Sequence, residues 1–237
     1  MNADEEPRIG PDRRPEVWVV VAAYNEAGRI GGVLDGLLRR WPNVVVVDDA
    51  STDRTVEEVR MRSVWLLRHF VNLGQGAALQ TGLDFALRRG AAYLVTFDAD
   101  GQHRPEDIDA LVTPLVSGTC DFTLGSRFLG EAVGIPATRK ALLKLAVFFT
   151  RVFSGVRLTD THNGLRGMTR RGAGALRITL NRMEHASQIL EQIHSSRLRY
   201  AEVPVAVTYS ADSLAKGQPS HAALKVAARL FLEKVTR

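Results

Sequence analysis

The chain has 237 residues, which is enough for one sizeable core and within the range of a single α/β domain. Cys120 is the only cysteine, which excludes an intrachain disulfide, and its apolar surroundings predict a buried, inert thiol. No apolar run reaches the ~18 residues that a membrane-spanning helix needs. The charged residues 1–15 contain three prolines and lack the apolar core of a signal peptide, so they are predicted to be a disordered tail before a domain over residues 16–237.

The first half of the sequence alternates between predicted strands and predicted helices. Pro105 suits the first position of a helix that follows this series. Because strands that alternate with helices form βαβ units, we predict an α/β fold with a mostly parallel sheet flanked by helices. Apolar, β-branched runs predict strands over 17–23, 44–47, 63–67, 93–97 and 121–125, and helix-spaced apolar residues predict helices over 30–38, 55–61 and 76–89.

The second half is less regular. Apolar residues interrupted by Lys144 and Arg151 predict an amphipathic helix over 141–153, and a second such helix is predicted over 221–235. A helix over 184–193 and a half-buried strand over 200–209 are predicted between them.

The net charge of +5 conceals a strong asymmetry between the two halves. Residues 1–125 carry 13 Lys and Arg against 19 Asp and Glu, a net charge of −6, whereas residues 126–237 carry 18 against 7, a net charge of +11. This asymmetry points to an anionic partner for the second half, such as a nucleic acid, an anionic membrane or a phosphorylated substrate. A solvated basic surface is the alternative.

Acidic residues follow three of the predicted strands, at the edge where parallel sheets bind ligands. Asp98 and Asp100 flank Ala99 after the strand over 93–97. Two carboxylates so close repel each other unless a cation joins them, and a hard divalent ion accepts carboxylate and substrate phosphate oxygens together. A pair of turn or capping aspartates is the structural alternative, which the preceding strand and the following Gly101-Gln102-His103 disfavour.

The other two strand ends have similar alternatives. Asp48 and Asp49 suit hydrogen bonds to a nucleobase or ribose, and helix capping is the other explanation. Glu26 follows the first strand and is either a ligand or a capping residue. The glycine-rich turn over 72–76 leads into a helix, and its backbone N–H groups are candidates to bind phosphate. Tight packing of the turn is the alternative explanation for its glycines.

Together these motifs resemble family 2 glycosyltransferases, in particular the branch of dolichyl- and polyprenyl-phosphate sugar synthases. The resemblance covers roughly residues 17–217, and the combined order of its motifs is highly specific. It implies a GT-A fold and an inverting transfer from a nucleotide sugar such as UDP-glucose or GDP-mannose. The matching segments are 22–26 (AAYNE), 47–55 (VDDASTDRT), 72–74 (NLG), 98–103 (DADGQH), 125–127 (GSR), 160–166 (DTHNGLR) and 202–204 (EVP).

The resemblance also implies roles for individual residues. Arg127 matches an arginine near the phosphates, and Asp160 matches an acidic residue on the acceptor side, so both are candidate catalytic residues with Asp100. The metal, Mg²⁺ or Mn²⁺, is assigned to Asp98, Asp100 and Gln102. The nucleotide sugar is assigned to residues that come mainly from the first half: Ala22, Tyr24, Glu26, Asp49, Asp98, Ala99, Gln102 and Lys216.

The sequence departs from the family pattern at two positions of the site. Ala22 stands where proline is more frequent, and the arginine that relatives carry shortly after the strand over 200–209 is replaced near Ser210. Lys216 is the candidate to supply that cation. The transmembrane helices of many relatives have no counterpart in the sequence.

A lipid monophosphate acceptor needs no general base because its second pKa is about 6 by analogy with phosphoserine, so it arrives as an anion. The basic second half suits such an acceptor, and the cations that it offers are Arg127, Arg139, Lys140, Lys144, Arg157, Arg166 and Lys216. The helix over 141–153 offers apolar side chains for a lipid chain or membrane interface, with core packing as the alternative. We therefore expect transfer to polyprenyl phosphate by an enzyme bound peripherally to the inner, cytoplasmic face of the membrane, with a small membrane protein as a candidate partner.

Three other functions compete with this interpretation. A soluble family 2 transferase would act on a hydroxyl acceptor and would need a base, for which Asp160 or Glu184 are candidates. A nucleotidyltransferase would open with a glycine- and arginine-rich phosphate loop, which residues 22–26 lack. Nucleic-acid binding would require aromatic residues interleaved with basic ones, and only 7% of the residues are aromatic.

Overall fold

A computed structural model of the chain describes Arg14, residues 16–133, Ile135, Val147 and residues 158–161, 163–181 and 184–209. The predicted helix over 221–235 lies outside these residues, together with Lys216 and His162. So do the predicted helix over 141–153, apart from Val147, and the predicted tail over 1–15, apart from Arg14.

Seven strands and six helices are formed in the described part of the chain. The strands make one sheet in the order β3-β2-β1-β4-β6-β5-β7, in which only β6 runs antiparallel to its neighbours β4 and β5. The prediction of a mostly parallel α/β sheet is thereby confirmed. The elements are β1 (Val17–Ala23), α1 (Ile30–Leu38), β2 (Asn43–Asp48), α2 (Thr55–Arg60), β3 (Trp65–Arg68), α3 (Gln75–Arg88), β4 (Tyr93–Asp98), α4 (Asp107–Val116), β5 (Phe122–Val133), β6 (Arg166–Thr169), α5 (Arg170–Ala175), α6 (His185–Ser195) and β7 (Tyr200–Thr208).

The sequence did not predict β6 or α5. The four residues of β6, Arg-Gly-Met-Thr, contain a single apolar side chain, so pairing with β4 and β5 rather than hydrophobic periodicity defines this strand. Several predicted boundaries also differ, most by one or two residues. The helix placed at Pro105 begins at Asp107, and the strand placed over 121–125 continues to Val133.

The helices cover both faces of the sheet, and each face has its own apolar core. Residues of α1, α2 and α4 pack on one face. Residues of α3, α5 and α6 pack on the other. The central strands β1 and β2 are buried on both faces, which explains their continuous valine-rich runs.

The register of the central strands brings the acidic clusters to one edge. Ala22 of β1 lies opposite Asp98 of β4, and Ala23 lies opposite Asp48 of β2. The three strands therefore end at the same level. Their loops are tied together there, because the Asn25 N–H donates to Oγ of Ser51 over 2.9 Å.

Helix α3 lies very close to the sheet at Gly82. A Cβ at this position would overlap Cγ1 of Val20 and lie 3.2 Å from Cγ2 of Val47. Because both valines belong to buried central strands, they have little room to move. Glycine at this position therefore sets the distance between α3 and the sheet.

We expect Gly82→Ala to destabilise the protein by about 1–3 kcal/mol through overpacking. Gly32→Ala is the matched control, since Gly32 is exposed in α1 and a Cβ there meets nothing within 4 Å. This control should be neutral or should stabilise by up to ~1 kcal/mol. Urea unfolding of both variants measures the difference, and equal stability of the two would contradict the close packing of α3.

Candidate active site

A cleft of about 630 Å³ opens where β1, β2 and β4 end. This volume lies within the range of about 300–1,000 Å³ that is typical of small-molecule sites. Asp49 and Asp100 both line the cleft, as expected if they act on one ligand. The lining residues are Ala22, Ala23, Tyr24, Glu26, Asp49, Asn72, Gly74, Gln75, Ala78, Asp98, Ala99 and Asp100.

Asp49 fixes the loop that forms one end of the cleft. Its Oδ1 accepts the Leu73 N–H over 2.9 Å and contacts Nδ1 of His69 over 2.7 Å, while its Oδ2 accepts the Gly74 N–H over 2.7 Å. Asp49 is only 2% exposed. Its carboxylate therefore organises the glycine-rich turn in addition to facing the cleft.

That turn passes close to a second segment of the chain. Gly74 has a φ of +99°, and a Cβ on this residue would overlap the carbonyl oxygen of Asn181. The Gly76 N–H donates to the same carbonyl over 2.9 Å. Glycine is therefore required at position 74 by both backbone conformation and close approach.

Tyr24 and Glu26 come from the loop after β1. Tyr24 is 46% exposed, so its ring is open to a ligand. Glu26 forms an ion pair with Arg29 over 2.6 Å, and its N–H donates to Oγ1 of Thr55 over 2.8 Å. The small side chains of Ala22 and Ala99 leave room between these residues and the end of β4.

Asp98 is held from several directions. Its Oδ1 accepts a hydrogen bond from Nε2 of Gln75, and its Oδ2 contacts Nε2 of His103, each over 3.2 Å. Gly164 packs directly against the same carboxylate, since a Cβ there would overlap both oxygens and lie 2.6 Å from Cγ. The position of Asp98 thus depends on residues from α3, from the loop after β4 and from the segment before β6.

The two carboxylates at the end of β4 have opposite pKa shifts. Burial opposes the ionisation of Asp98, but the hydrogen bond from His103 and the positive charge of Arg166 hold the pKa of Asp98 below its usual range. Burial and the negative charge of Asp98 raise the pKa of Asp100, although the Gln102 N–H donates to its Oδ1 over 3.0 Å. The pair therefore creates a negative field that a cation would relieve.

This donor set suits a divalent cation bound jointly with a substrate. Among the residues that the structure describes, no three His, Cys, Asp or Glu side chains form a ready-made metal cluster. Mg²⁺ is characteristically held by one or two carboxylates and by substrate phosphates rather than by an all-protein cage. Asp98 and Asp100 meet that requirement.

A second polar cluster surrounds Arg127, where β5 bulges away from β7 between Ser126 and Glu131. Nε of Arg127 donates to Oδ2 of Asp160 over 2.6 Å, and Nη1 donates to the Tyr209 hydroxyl. Burial lowers the pKa of Arg127, but Asp160 and Tyr209 outweigh this effect and raise it. Arg127 is 7% exposed and therefore remains a fixed, buried positive charge.

The structure brings most of the residues predicted to bind the nucleotide sugar together in the cleft. Arg127 and Asp160 form the second cluster and are not among the cleft-lining residues. The backbone of Gln102 links Asp100 to β7, because its N–H donates to Asp100 and its carbonyl accepts the Thr208 N–H over 3.0 Å. Lys216 lies outside the described residues.

Gln75 was not among the residues predicted for the site. The glycine-rich turn that precedes α3 was the signal for it, because the turn places the first residues of α3 at the cleft. Tyr209, the partner of Arg127, had no signal beyond its place at the end of a predicted strand. No helix in the described ranges is long and apolar enough to cross a bilayer.

Comparison with known proteins identifies the family. The profile of glycosyl transferase family 2 matches residues 18–174. The chain is 30% identical to a UDP-N-acetylglucosamine–dolichyl-phosphate N-acetylglucosaminyltransferase of Methanococcus voltae, over 92% of this chain and 96% of that protein. It is 33% identical to an undecaprenyl-phosphate mannosyltransferase of Micrococcus luteus, over 80% of this chain and 82% of that protein.

A solved structure shares the fold. Glucosyl-3-phosphoglycerate synthase from Mycobacterium tuberculosis, in complex with Mn²⁺, UDP and glucosyl-3-phosphoglycerate, superimposes with a TM-score of 0.71 at 16% identity, over 96% of this chain and 83% of that one. The fold is therefore GT-A. The chain is a glycosyltransferase that belongs to family 2, in the branch similar to the polyprenyl-phosphate sugar synthases.

Proposed function

We propose that this enzyme moves a hexose from a nucleotide sugar to polyprenyl phosphate by an inverting, metal-dependent transfer. The observation that carries the proposal is the single cleft in which Asp49, Asp98 and Asp100 converge from the ends of β2 and β4. Two similar proteins whose names specify dolichyl or undecaprenyl phosphate support the acceptor class. A panel of nucleotide sugars identifies the hexose that is transferred and the nucleotide that carries it.

The nucleoside would bind at the Asp49 end of the cleft. Ala22, Tyr24 and Glu26 line the same cleft. An ionised carboxylate has about four lone-pair sites, and three of those of Asp49 are occupied by His69, Leu73 and Gly74. One site would be left for a base or ribose N–H or O–H group, whose orientation the fixed loop would determine.

Mg²⁺ or Mn²⁺ would be held by Asp98 and Asp100, with Gln102 as a further candidate. A bound ion would neutralise the charge that develops on the leaving diphosphate. The complex of the M. tuberculosis synthase with Mn²⁺ and UDP supports this assignment by analogy of fold. Gln75 and His103 would keep the Asp98 carboxylate oriented, and Ala99 would leave space for the diphosphate.

The acceptor phosphate would approach from the side of Arg127. A phosphate that arrives as an anion requires cations rather than a base. Asp160 suits such a reaction, because its carboxylate is committed to the Arg127 side chain and backbone N–H over 2.6 and 3.2 Å. Asp160 would therefore position Arg127 and would not remove a proton.

The basic second half would hold the enzyme peripherally at the inner face of the membrane. Each basic residue close to an anionic bilayer contributes about 1 kcal/mol of attraction. A small membrane protein remains a candidate partner, and we propose no nucleic-acid partner. Binding of this kind weakens as salt screens the surface charges.

The metal role predicts that Asp100→Ala and removal of divalent cations by EDTA each reduce transfer by about 100-fold or more, because several kcal/mol of barrier lowering are lost. Transfer is measured with a panel of UDP- and GDP-sugars and polyprenyl phosphate. Added Mn²⁺ or Mg²⁺ should restore the chelated enzyme but not Asp100→Ala. Asp84→Ala is the control, since Asp84 lies on α3 and bonds Gln80 instead of lining the cleft. Undiminished turnover in both experiments would remove the metal role.

The packing of Gly164 on Asp98 predicts that Gly164→Ala lowers kcat/KM by about 100-fold, because a displacement near 1 Å at reacting groups has that effect. Gly174→Ala is the matched control, as a Cβ on Gly174 meets nothing within 4 Å. Both variants are compared by turnover and by melting temperature. Full activity of a folded Gly164→Ala enzyme would show that the position of Asp98 is not critical.

The acceptor assignment predicts transfer to purified polyprenyl phosphate and little transfer to an alcohol of the same chain length. The enzyme should also co-sediment with vesicles that contain anionic lipid, and this binding should weaken between low and physiological salt. Product formation is followed by mass spectrometry. Transfer to the alcohol alone would instead indicate a family 2 enzyme that acts on hydroxyl acceptors.

A further inference from the structure

Arg166 lies in the sheet between the two polar clusters. Its register partners are Thr96 on β4 and Leu124 on β5. Asp98 follows Thr96 by two residues, and the Ser126–Arg127 bulge follows Leu124 by two. Since alternate residues of a strand share a face, Arg166 is on the face of the sheet to which Asp98 belongs.

One nitrogen of the Arg166 guanidinium is buried without the hydrogen bond that normally compensates for burial. Arg166 is 3% exposed, and its Nη1 is completely buried with no hydrogen-bond partner among the described residues. Arg127, by contrast, is a buried arginine with hydrogen-bond partners, because it donates to both Asp160 and Tyr209. A buried charged donor that lacks a partner costs free energy in the absence of a ligand.

A second unsatisfied donor lies three residues earlier. Asn163 is 4% exposed, and its Nδ2 is buried without a partner in the described part of the chain. Its Oδ1 accepts the Leu165 N–H over 2.9 Å, which fixes the orientation of the side-chain amide. Gly164, between the two donors, packs against Asp98. The segment 163–166 thus presents two unmet N–H donors beside the cleft.

Two N–H donors without partners fit an anion and exclude a cation as their ligand. The nearby carboxylates do not contradict this conclusion. Asp160 is neutralised by Arg127, and Asp98 is paired with His103 and would share the metal of the proposed function. With that metal present, the formal charge around Arg166 is positive, as phosphate binding requires.

We propose that Arg166 and Asn163 form a binding site for a phosphate oxygen at the junction between the cleft and the Arg127–Asp160 cluster. The inference rests on the proposed function and deepens it, since that reaction brings two phosphate groups to this junction. One is the diphosphate of the donor, and the other is the monophosphate of the acceptor. Both present the same oxyanion chemistry, so the experiment has to distinguish them.

The test uses the full chain with Arg166→Met, Arg166→Lys and Asn163→Asp. Asn163→Asp keeps the shape of the side chain and replaces the unmet donor with an acceptor. Arg170→Lys is the control, because Arg170 donates to the carbonyls of Leu87 and Ala91 at the opposite end of the sheet. Calorimetry measures the affinity for UDP, GDP and inorganic pyrophosphate with Mg²⁺, and steady-state kinetics give the KM for polyprenyl phosphate.

Arg166→Met and Asn163→Asp should weaken one phosphate ligand by about 10- to 100-fold, while Arg166→Lys should retain part of the affinity. A loss of UDP, GDP and pyrophosphate binding assigns the site to the leaving diphosphate. A raised KM for polyprenyl phosphate with unchanged nucleotide affinity assigns it to the acceptor.

Unchanged affinity for every phosphate ligand, with only the melting temperature lowered, would overturn the inference and leave Arg166 a structural residue. If Arg166→Met does not fold, Arg166→Lys and Asn163→Asp carry the same comparison. Pyrophosphate binding that depends on Arg166 in a protein that transfers no sugar would support the site and contradict only the proposed function.

Discussion

Repulsion between two carboxylates at the end of β4 is the interaction on which the site depends. His103 and Arg166 hold the pKa of Asp98 below its usual range, while burial and the charge of Asp98 raise the pKa of Asp100. The Gln102 N–H donates to Asp100, but β1 and β6 hold β4 from both sides and Gly164 lies against the Asp98 carboxylate. A divalent cation shared with the substrate, as proposed above, would stabilise both charges.

The short antiparallel strand β6 connects the two halves of the site. It pairs with β4, which ends at the acidic pair, and with β5, which leads to Arg127. Because the side chains of a strand alternate between faces, a shift of one residue in this pairing would turn Arg166 away from Asp98. A strand of four residues therefore controls the relative position of groups that belong to distant parts of the sequence.

The sequence predicted the parallel part of the fold well because β1, β2 and β4 are buried on both faces and read as continuous apolar runs. The cleft followed from the same strands, since their carboxyl ends carry Glu26, Asp49 and Asp98. Residues whose roles depend on long-range pairing were less predictable. Arg166 and Tyr209 have no local pattern that shows burial, and the unmet donors of Arg166 and Asn163 are visible only when their neighbours are known.

The charge asymmetry of the sequence has a structural counterpart in the two clusters. Carboxylates of the first half gather at the cleft, where a cation can bridge them to a diphosphate. The described second half contributes buried arginines instead, and Asp160 is tied to one of them. The Asp160 carboxylate already accepts hydrogen bonds from Arg127, whereas a buried arginine stays charged and suits an anionic ligand. This arrangement supports the proposed phosphate acceptor, which arrives ionised, over an alcohol, which does not.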